Sequence, residues 1–455
     1  MSAKPFDHAV VIGSGMSGLV TSRVLADHFE RVTLLERDAA PTDTSPRPGV
    51  PQGRHFHGLL PGGLLTLAEL FPGFPQELVA AGSLVPTPKE FYFFRAEGKS
   101  YALGAYMPEP PPDDGKRFAY VQSRGLLELC VRSRVAMLDN VELRYGARVE
   151  DVTAEDGRVR GVKLAHAAEP IRADLVIDAM GRGGKTLQWL ERLGFERPAQ
   201  DVVHCDFAYT SVFMRPRTPD VFTDVGFFVL SNPARRGGSL VRLEHGLWLA
   251  SVAGRHGDYP PRDMPGFMAF AESTGEPLLC ELLAQADVVS EPASYRFERS
   301  VRRRFEQLER FPEGLLPIGD AVCHFNPLYG QGMSAACRQA MALRRILEQR
   351  AARDEGLDGL WSEYLPAVHQ ETRAPWLFAA LADFRDTRCT GDFPVEEGEL
   401  IQLLVFVVQQ AAAGDPDALS LAMAVQGLVA PLDALRQAPW PERLAASTAA
   451  AQASA

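Results

Sequence analysis

The sequence predicts an α/β fold with three parts: a mainly parallel sheet domain, an inserted antiparallel-sheet domain and a C-terminal helical region. Three observations support this prediction. Residues 8–36 read as strand, glycine loop, helix and strand, and residues 201–305 read as short strands separated by turn signals. From Met333 onward, apolar residues recur at helical spacing.

Composition limits the class of protein. The chain has 455 residues, of which 46% are hydrophobic and 23% charged, values typical of globular proteins. Its 47 Lys and Arg against 58 Asp and Glu give a formal net charge of −11, which excludes a general nucleic-acid binder. The six cysteines form no Cys-x-x-Cys pair, which predicts free, mostly buried thiols and no metal site. Without a signal-peptide pattern or an apolar run of about 20 residues, we expect a soluble cytoplasmic protein with no transmembrane segment.

Periodicity predicts the individual elements. Residues 9–12 and 32–35 are continuous apolar runs suited to buried strands, and Met16, Val20 and Val24 share a face of the intervening helix. A second helix is expected at 123–138 and a possible one after Pro265. Further strands are predicted at 90–95, 100–105, 141–145, 149–154, 159–164, 174–177, 207–214, 226–230, 239–243 and 247–252.

The first glycine loop predicts a dinucleotide site. Gly13-Ser14-Gly15-Met16-Ser17-Gly18 follows a strand and opens a helix, and Glu36, followed by Arg37, ends the next strand. In a Rossmann-like fold, the first two glycines allow a tight turn and the close approach of a pyrophosphate, and the third allows helix and strand to pack. The helix N-terminus faces the anion, and Glu36 would accept hydrogen bonds from the ribose. This motif alone does not separate FAD from NAD.

A second glycine-bearing segment decides for FAD. An apolar run at 314–318 leads into Gly319-Asp320, and Gly330 and Gly332 precede a long helix led by Met333. Asp320 at the end of a strand can bind a ribityl hydroxyl, and the glycines let backbone N–H groups approach the flavin ring edge. The helix N-terminus would stabilise the negative charge of the reduced flavin. We therefore predict a Rossmann-like FAD-binding domain.

These segments resemble a known family. The N-terminal glycine loop, the central segment 174–183 and the late Gly319-Asp320 are similar to the FAD-dependent monooxygenase superfamily of the p-hydroxybenzoate hydroxylase type. Residues 47–57 (RPGVPQGRHFH) and 326–336 (NPLYGQGMSAA) resemble most closely the bacterial flavin epoxidases of polyether-antibiotic pathways. The motifs lie between residues 9 and 346.

The resemblance implies non-covalent FAD, NAD(P)H as transient electron donor, and oxygen transfer from O2 by way of a C4a-hydroperoxyflavin. It also implies that Arg54 and Arg124 lie near the FAD pyrophosphate and that Val149 presents its backbone to adenine. The chain departs from the family at residues 178–181, which read Asp-Ala-Met-Gly where aromatic hydroxylases have Asp-Gly. Gly184 stands where polyether epoxidases usually have Ser. This departure leaves the NADPH contacts of that segment unassigned.

The sequence offers two candidate catalytic side chains. His57, beside His55, is a candidate base for a phenol substrate, and Tyr329 in the flavin loop could face the substrate or serve packing. For an alkene substrate we expect no essential acid–base pair, because the reaction needs a dry, shaped pocket instead. We expect the antiparallel sheet to supply its apolar cover through Phe207, Val212, Phe227, Phe228, Leu230, Leu247 and Trp248.

Two other groups have less specific interpretations. Arg299, Arg302, Arg303 and Arg304 could bind a nicotinamide 2′-phosphate, but a solvated strand face is the favoured interpretation. The aromatic run at residues 91–94 is expected to alternate between a substrate cavity and the core.

The predicted FAD-binding domain comprises residues 1–83, 119–200 and 306–350, the substrate domain 84–118 and 201–305, and the C-terminal helical region 351–455. The favoured function is oxygen insertion into a hydrophobic secondary metabolite, with alkene epoxidation ahead of aromatic hydroxylation. A flavin-dependent reductase or dehydrogenase acting on an isoprenoid-like substrate is an alternative, and so is a non-enzymatic flavoprotein. A flavin-dependent halogenase is less favoured, since the chain has no Trp-x-Trp-x-Ile-Pro segment.

Overall fold

Parallel and antiparallel strands alternate with helices along most of the chain. The computed structural model describes residues 4–87, 93–96, 99–102, 120–230 and 236–453. Its strands are β1 (Phe6–Ile12), β2 (Phe29–Leu35), β3 (Phe93–Ala96), β4 (Lys99–Ala102), β5 (Val141–Arg144), β6 (Val149–Glu155), β7 (Arg158–Leu164), β8 (Ile171–Arg172), β9 (Leu175–Asp178), β10 (Gln200–Pro216), β11 (Gly226–Leu230), β12 (Gly237–Arg242), β13 (Trp248–Arg255), β14 (Ala286–Val288), β15 (Ala293–Arg303), β16 (Leu315–Pro317), β17 (Cys323–His324) and β18 (Thr390–Gly391). Its helices are α1 (Met16–Ala26), α2 (Pro61–Leu70), α3 (Phe74–Ala80), α4 (Arg124–Ala136), α5 (Thr186–Arg192), α6 (Met264–Glu272), α7 (Pro277–Leu283), α8 (Gly332–Ala352), α9 (Leu360–Asp383), α10 (Gly398–Ala412), α11 (Pro416–Gln426) and α12 (Trp440–Ala453).

A parallel sheet carries the N-terminal glycine loop. Within the described ranges its strand order is β16-β9-β1-β2-β5, and every pair is parallel. Strand β1 is central, and Ala9, Val10 and Val11 are completely buried, as expected for a strand covered on both faces. Helix α4 begins where the sequence predicts, because the Ser123 hydroxyl caps it by accepting from the Leu126 N–H at 3.1 Å.

A second, larger sheet forms the inserted domain. Among the described residues it has ten strands, with the main order β17-β15-β10-β13-β12-β11-β3-β4, while β14 and β18 also pair with β10. Strand β3 pairs in parallel with β11 and in antiparallel fashion with β4, which confirms that this strand pair joins the sheet. The remaining residues of these two predicted strands, including Phe91 and Tyr92, lie outside the described residues.

The two faces of this sheet have different partners. Val212, Phe227 and Trp248 pack in the cluster beneath α6 and α7, whereas Phe228 and Leu247 belong to a cluster that contains Phe56 and Val121 of the first domain. Phe93 joins the former group, with its ring 5.3 Å from that of Phe227. Because successive strand residues point to opposite faces, the predicted apolar cover is divided between the two sides. Only the side that carries Phe228 and Leu247 faces the part of the chain that contains Phe56 and Val121.

The C-terminal helices share a continuous core with the parallel sheet domain. Helix α9 packs against α8, and α10 packs against α11 and α12. Arg302 is 1% exposed; it pairs with Asp201 at 2.7 Å and with Glu396 at 2.5 Å, and its guanidinium lies 5.1 Å from the Trp376 ring centroid. The prediction of a solvated arginine face is therefore wrong for Arg302, because the C-terminal region covers it.

No helix in the described ranges combines the length and the hydropathy required to span a bilayer. The six cysteines are free thiols, and Cys205, Cys323, Cys337 and Cys389 are buried, which confirms the interpretation of the cysteine pattern.

Candidate functional site

The N-terminal glycine loop has the geometry that an approaching phosphate requires. Gly13 adopts a positive φ of 99°, and a Cβ at Gly18 would lie 1.8 Å from the Gly13 carbonyl oxygen, so neither position accepts a side chain. A Cβ at Gly15 would instead have no heavy atom within 4 Å. Gly15 caps the N-terminus of α1, so the open space lies where the helix N–H groups favour an anion.

The two distant glycine segments come together. A Cβ at Gly319 would lie 3.0 Å from the Cβ of Ser17, which belongs to the first loop. Gly319 has a positive φ of 67°, and its N–H donates to the Gln339 side chain of α8 at 2.8 Å. The turn after β16 is thus fixed between α1 and α8.

Asp320 presents a carboxylate with free hydrogen-bonding capacity. Burial raises its pKa, and the nearby Arg182, Arg124 and Arg303 oppose this shift. Within the described ranges no group donates a hydrogen bond to this carboxylate. A Cβ at Gly332, the first residue of α8, would lie 3.9 Å from Asp320 Oδ1. An acceptor at this position fits the hydroxyls of a ribityl chain that runs past the start of α8.

Glu36 is held at the end of β2 as a charged acceptor. Its Oε2 accepts from the Ser14 N–H at 3.0 Å, from the Ser14 hydroxyl at 2.7 Å and from Arg47 at 2.8 Å. Burial opposes ionisation, but Arg47 and the donors from Asp38 and Ser14 outweigh it and lower the pKa of Glu36. The carboxylate therefore carries its charge beside the glycine loop.

Three arginines converge beside this loop. Arg47, Arg124 and Arg132 line a pocket that is open to solvent, together with Gly53. All three donate to the buried Glu128 carboxylate, at 2.8, 2.9 and 2.6 Å respectively. Arg132 also donates to the Ser14 hydroxyl at 2.9 Å. Arg47 also pairs with Glu36 at 2.8 Å and with Asp38 at 3.1 Å. The three guanidinium groups thus fit a pyrophosphate as charge-assisted hydrogen-bond donors.

Sequence reasoning named only Arg124 of these three. Arg54, its other predicted pyrophosphate contact, is exposed at the end of a short 3₁₀ turn, Pro51–Arg54. Helical spacing could have predicted the position of Arg132, because Arg124, Glu128 and Arg132 are each four residues apart and therefore share one face of α4. Arg47 lies in an irregular loop, and only the tertiary fold brings it to Glu128.

The remaining predicted cofactor positions lie around the same loops. Val149 opens β6 and is buried, and its carbonyl accepts from the Lys185 ammonium at 3.3 Å. Arg37 is exposed just after Glu36, and Met333 is buried in the first turn of α8. Gly330 has a positive φ of 66° and precedes that helix.

The central segment serves the turn after β9. Asp178 is fully buried and accepts from the Thr186 N–H at 2.9 Å and the Thr186 hydroxyl at 2.7 Å. A Cβ at Gly184 would lie 2.9 Å from the Ala321 Cβ and 3.0 Å from Asp178 Oδ2. The turn at position 184 thus leaves no room for a side chain such as that of serine.

The two histidines of the 47–57 segment are held neutral. His55 is 3% exposed, and its Nδ1 lies 2.8 Å from the Ser211 hydroxyl on the large sheet. Burial lowers the pKa of His55 to about 3 and that of His57 to about 4. His57 Nδ1 donates to the His55 carbonyl oxygen at 3.0 Å. Near pH 7 both imidazole rings are therefore neutral, and each is hydrogen-bonded to another group of the protein.

Tyr329 points toward the C-terminal region. Its hydroxyl donates to Asp383 Oδ1 of α9 at 2.8 Å, and burial raises the pKa of this phenol. Of the two roles that the sequence offers for Tyr329, this contact with Asp383 supports packing.

The arrangement fits FAD in three respects. The Gly15 position leaves open space at a helix N-terminus, an arginine pocket adjoins it, and Asp320 offers an unsatisfied acceptor next to the start of α8. An extended dinucleotide that carries a ribityl chain requires these three features in this order.

Sequence comparison finds a relative that spans most of the chain. No family model matches the sequence. Protein Rv3254 of Mycobacterium tuberculosis (strain ATCC 25618 / H37Rv) is 35% identical over 399 residues, which cover 85% of this chain and 82% of that protein.

Solved structures share the fold at low identity. The flavin-dependent brominase Bmp2 superimposes with a TM-score of 0.66 at 15% identity, covering 98% of this chain and 100% of that one. PqsL of Pseudomonas aeruginosa, described as a probable FAD-dependent monooxygenase, gives a TM-score of 0.60 at 16% identity over 84% and 97% of the two chains. The predicted fold class is confirmed. The chain belongs to the family of the mycobacterial Protein Rv3254 and has the fold of the flavin-dependent monooxygenases.

Proposed function

We propose that this protein binds FAD without a covalent link and is a monooxygenase that transfers one oxygen atom of O2 to a hydrophobic substrate. The observation that carries the proposal is the meeting of the two glycine segments, with Ser17 and Gly319 in contact and the Asp320 carboxylate free to accept. The fold shared with flavin-dependent enzymes supports it.

The residues of this chain have distinct tasks in the proposed complex. Bound FAD would supply the redox chemistry and activate O2. The arginines of the Glu128 pocket would bind the pyrophosphate, and Glu36 would orient the ribose. Asp320 would hold the ribityl chain, and the N-terminus of α8 would face the ring.

The histidines favour alkene epoxidation over phenol hydroxylation. A phenol has a pKa of about 10, and a base converts it to the more reactive phenolate. His55 and His57 are each hydrogen-bonded within the protein, and burial lowers their pKa to about 3 and about 4, so neither ring is suited to take that proton. An alkene requires no such base, so we propose epoxidation of a hydrophobic secondary metabolite, with NAD(P)H as electron donor.

Labelled oxygen tests this proposal. The purified protein is reconstituted with FAD and supplied with NAD(P)H, ¹⁸O2 and a panel of hydrophobic alkenes and phenols, and the products are analysed by mass spectrometry. We expect one labelled atom in an epoxide. A protein that takes up no FAD would refute the proposal, and so would NAD(P)H consumption without matching O2 uptake or a product that requires bromide.

A variant pair links FAD binding to the site. Asp320→Asn removes the charge of the proposed ribityl acceptor, so FAD affinity should fall by about tenfold, which corresponds to one charge-assisted hydrogen bond. Asp358→Asn is the control, because that side chain is 84% exposed and pairs with Arg158 at the surface. Equal FAD affinity for the two variants would contradict the assignment.

A further inference from the structure

The C-terminal helical region places one buried carboxylate against the segment that leads into α8. Asp383 is the last residue of α9 and is fully buried. A negative charge at the C-terminus of a helix is disfavoured by the helix dipole, and burial adds a desolvation cost. Contacts outside the C-terminal region offset part of these costs, although burial still raises the pKa of Asp383.

Three donors from two other parts of the chain meet at a single oxygen. Asp383 Oδ1 accepts from the Asn326 side-chain amide at 2.9 Å and from the Tyr329 hydroxyl at 2.8 Å, and Arg255 approaches it at 3.3 Å. Its other oxygen, Oδ2, has no hydrogen-bond partner among the described residues. Asn326 and Tyr329 bracket the 3₁₀ turn that precedes Gly330, and Arg255 ends β13 of the large sheet.

The turn between these donors sets the position of the α8 N-terminus. The Asn326 side-chain oxygen accepts from the Leu328 N–H at 3.1 Å, while its amide nitrogen is bound to Asp383. Asp383 therefore orients the same amide that caps the turn. Gly330 and Gly332 follow within a few residues, and their backbone is the part of the loop proposed to approach the flavin ring.

We propose that Asp383 is a positioning residue of the flavin site, which fixes the segment 326–332 and ties it to the C-terminal region and to the large sheet. The inference rests on the proposed binding of FAD, and it assigns a role to the C-terminal region that the sequence left open. Asp383 acts through Asn326 and Tyr329 and does not touch the reacting atoms.

Three variants separate geometry from charge. Asp383→Ala removes the acceptor for all three donors, so FAD affinity should fall at least tenfold. Asp383→Asn keeps an oxygen that can accept from Asn326 and Tyr329, so its FAD affinity should return to within about threefold of the parent. Tyr329→Phe removes one hydrogen bond and should weaken FAD binding by about fivefold.

The matched control is Asp386→Asn. Asp386 is 5% exposed and lies three residues further along, where it pairs with Arg388 at 2.9 Å. It resembles Asp383 in burial but pairs with Arg388, whose side chain is 46% exposed, so FAD affinity and the flavin spectrum should stay at the parent values.

The readouts are the FAD dissociation constant from a fluorescence titration, the visible flavin spectrum and the midpoint potential of the bound flavin. If Asp383 only stabilised the fold, its substitution would lower the melting temperature and leave the flavin spectrum and the midpoint potential unchanged. We expect Asp383→Ala and Tyr329→Phe to shift the midpoint potential of the bound flavin, and we expect Asp386→Asn to have the parent value.

The failures of the two proposals are distinguishable. A parent protein that binds no FAD refutes the proposed function. A parent that binds FAD, with Asp383→Ala and Tyr329→Phe both at the parent affinity and potential, overturns the role of Asp383. Should Asp383→Ala fail to fold, a parent-like Tyr329→Phe overturns it.

Discussion

Replacing Glu128 by Gln tests whether the arginine pocket is held together by one buried charge. The Glu128 carboxylate is 6% exposed and accepts from Arg47, Arg124 and Arg132 at distances between 2.6 and 2.9 Å. The variant keeps a neutral acceptor but removes the carboxylate that faces Arg124 and Arg132, while Arg47 keeps its pairs with Glu36 and Asp38. Removing one partner of a buried ion pair costs about 3–5 kcal/mol, and we expect a loss of this size in the cofactor-free protein.

The pH dependence of this loss of stability follows from the direction in which the fold shifts the pKa of Glu128. Burial opposes ionisation of Glu128, but the three arginines outweigh it and lower its pKa below the unfolded value of about 4.3. The stabilisation is therefore complete above that value and is lost as the pH falls through the lower pKa of the folded state. The stability difference between parent and Glu128→Gln should accordingly shrink in acid.

The assay is urea-induced unfolding with and without FAD. The control is Glu142→Gln, whose side chain is 49% exposed and pairs with Arg144 at 2.7 Å, an exposed pair worth less than about 1 kcal/mol. If the pyrophosphate binds this pocket, its negative charge replaces that of Glu128, so FAD should recover part of the lost stability. A loss for Glu128→Gln no larger than that for Glu142→Gln would refute the reasoning.

Three further outcomes are expected. Gly18→Ala places a Cβ 1.8 Å from the Gly13 carbonyl oxygen and should prevent stable folding, whereas Gly15→Ala enters open space and should melt like the parent but bind FAD more weakly, as melting and FAD titration will show. Gly184→Ser should cost about 1–3 kcal/mol in urea unfolding, because its Cβ would meet neighbours at 2.9 and 3.0 Å. His55 stays neutral in the fold while its unfolded form gains a proton below pH 6.5, so stability should fall from pH 6.5 toward about pH 3, and His55→Gln should flatten that slope.

The local sequence pattern was sufficient to predict the strands and helices around the N-terminal glycine loop. The apolar run at residues 9–12, the glycine loop and the strand before Glu36 appear as β1, α1 and β2, because each depends on neighbours in sequence. The Ser123 cap likewise fixed the start of α4. The faces of the antiparallel strands could not be assigned in this way, because alternation shows that there are two sides but not what covers each.

The pairing of charges was the least predictable feature. Arg302 belongs to a run of arginines that resembles a solvated face, and only its contact with Trp376 and Glu396 explains its burial. The same holds for Arg47, which reaches Glu128 across 81 residues of chain. Such pairs satisfy charges that the fold has removed from water, so they depend on which surfaces meet.

The sequence by itself determined where the backbone must turn without side chains and where a helix N-terminus follows a strand, since steric exclusion and hydrogen bonding act between near neighbours. Tertiary structure alone decided which charged groups surround those turns. It brought the arginines to Glu128 and carried Asp383 from the C-terminal region to Asn326 and Tyr329. Electrostatic and hydrogen-bond partners are selected by distance in space, and that distance exists only once the sheets and helices have packed.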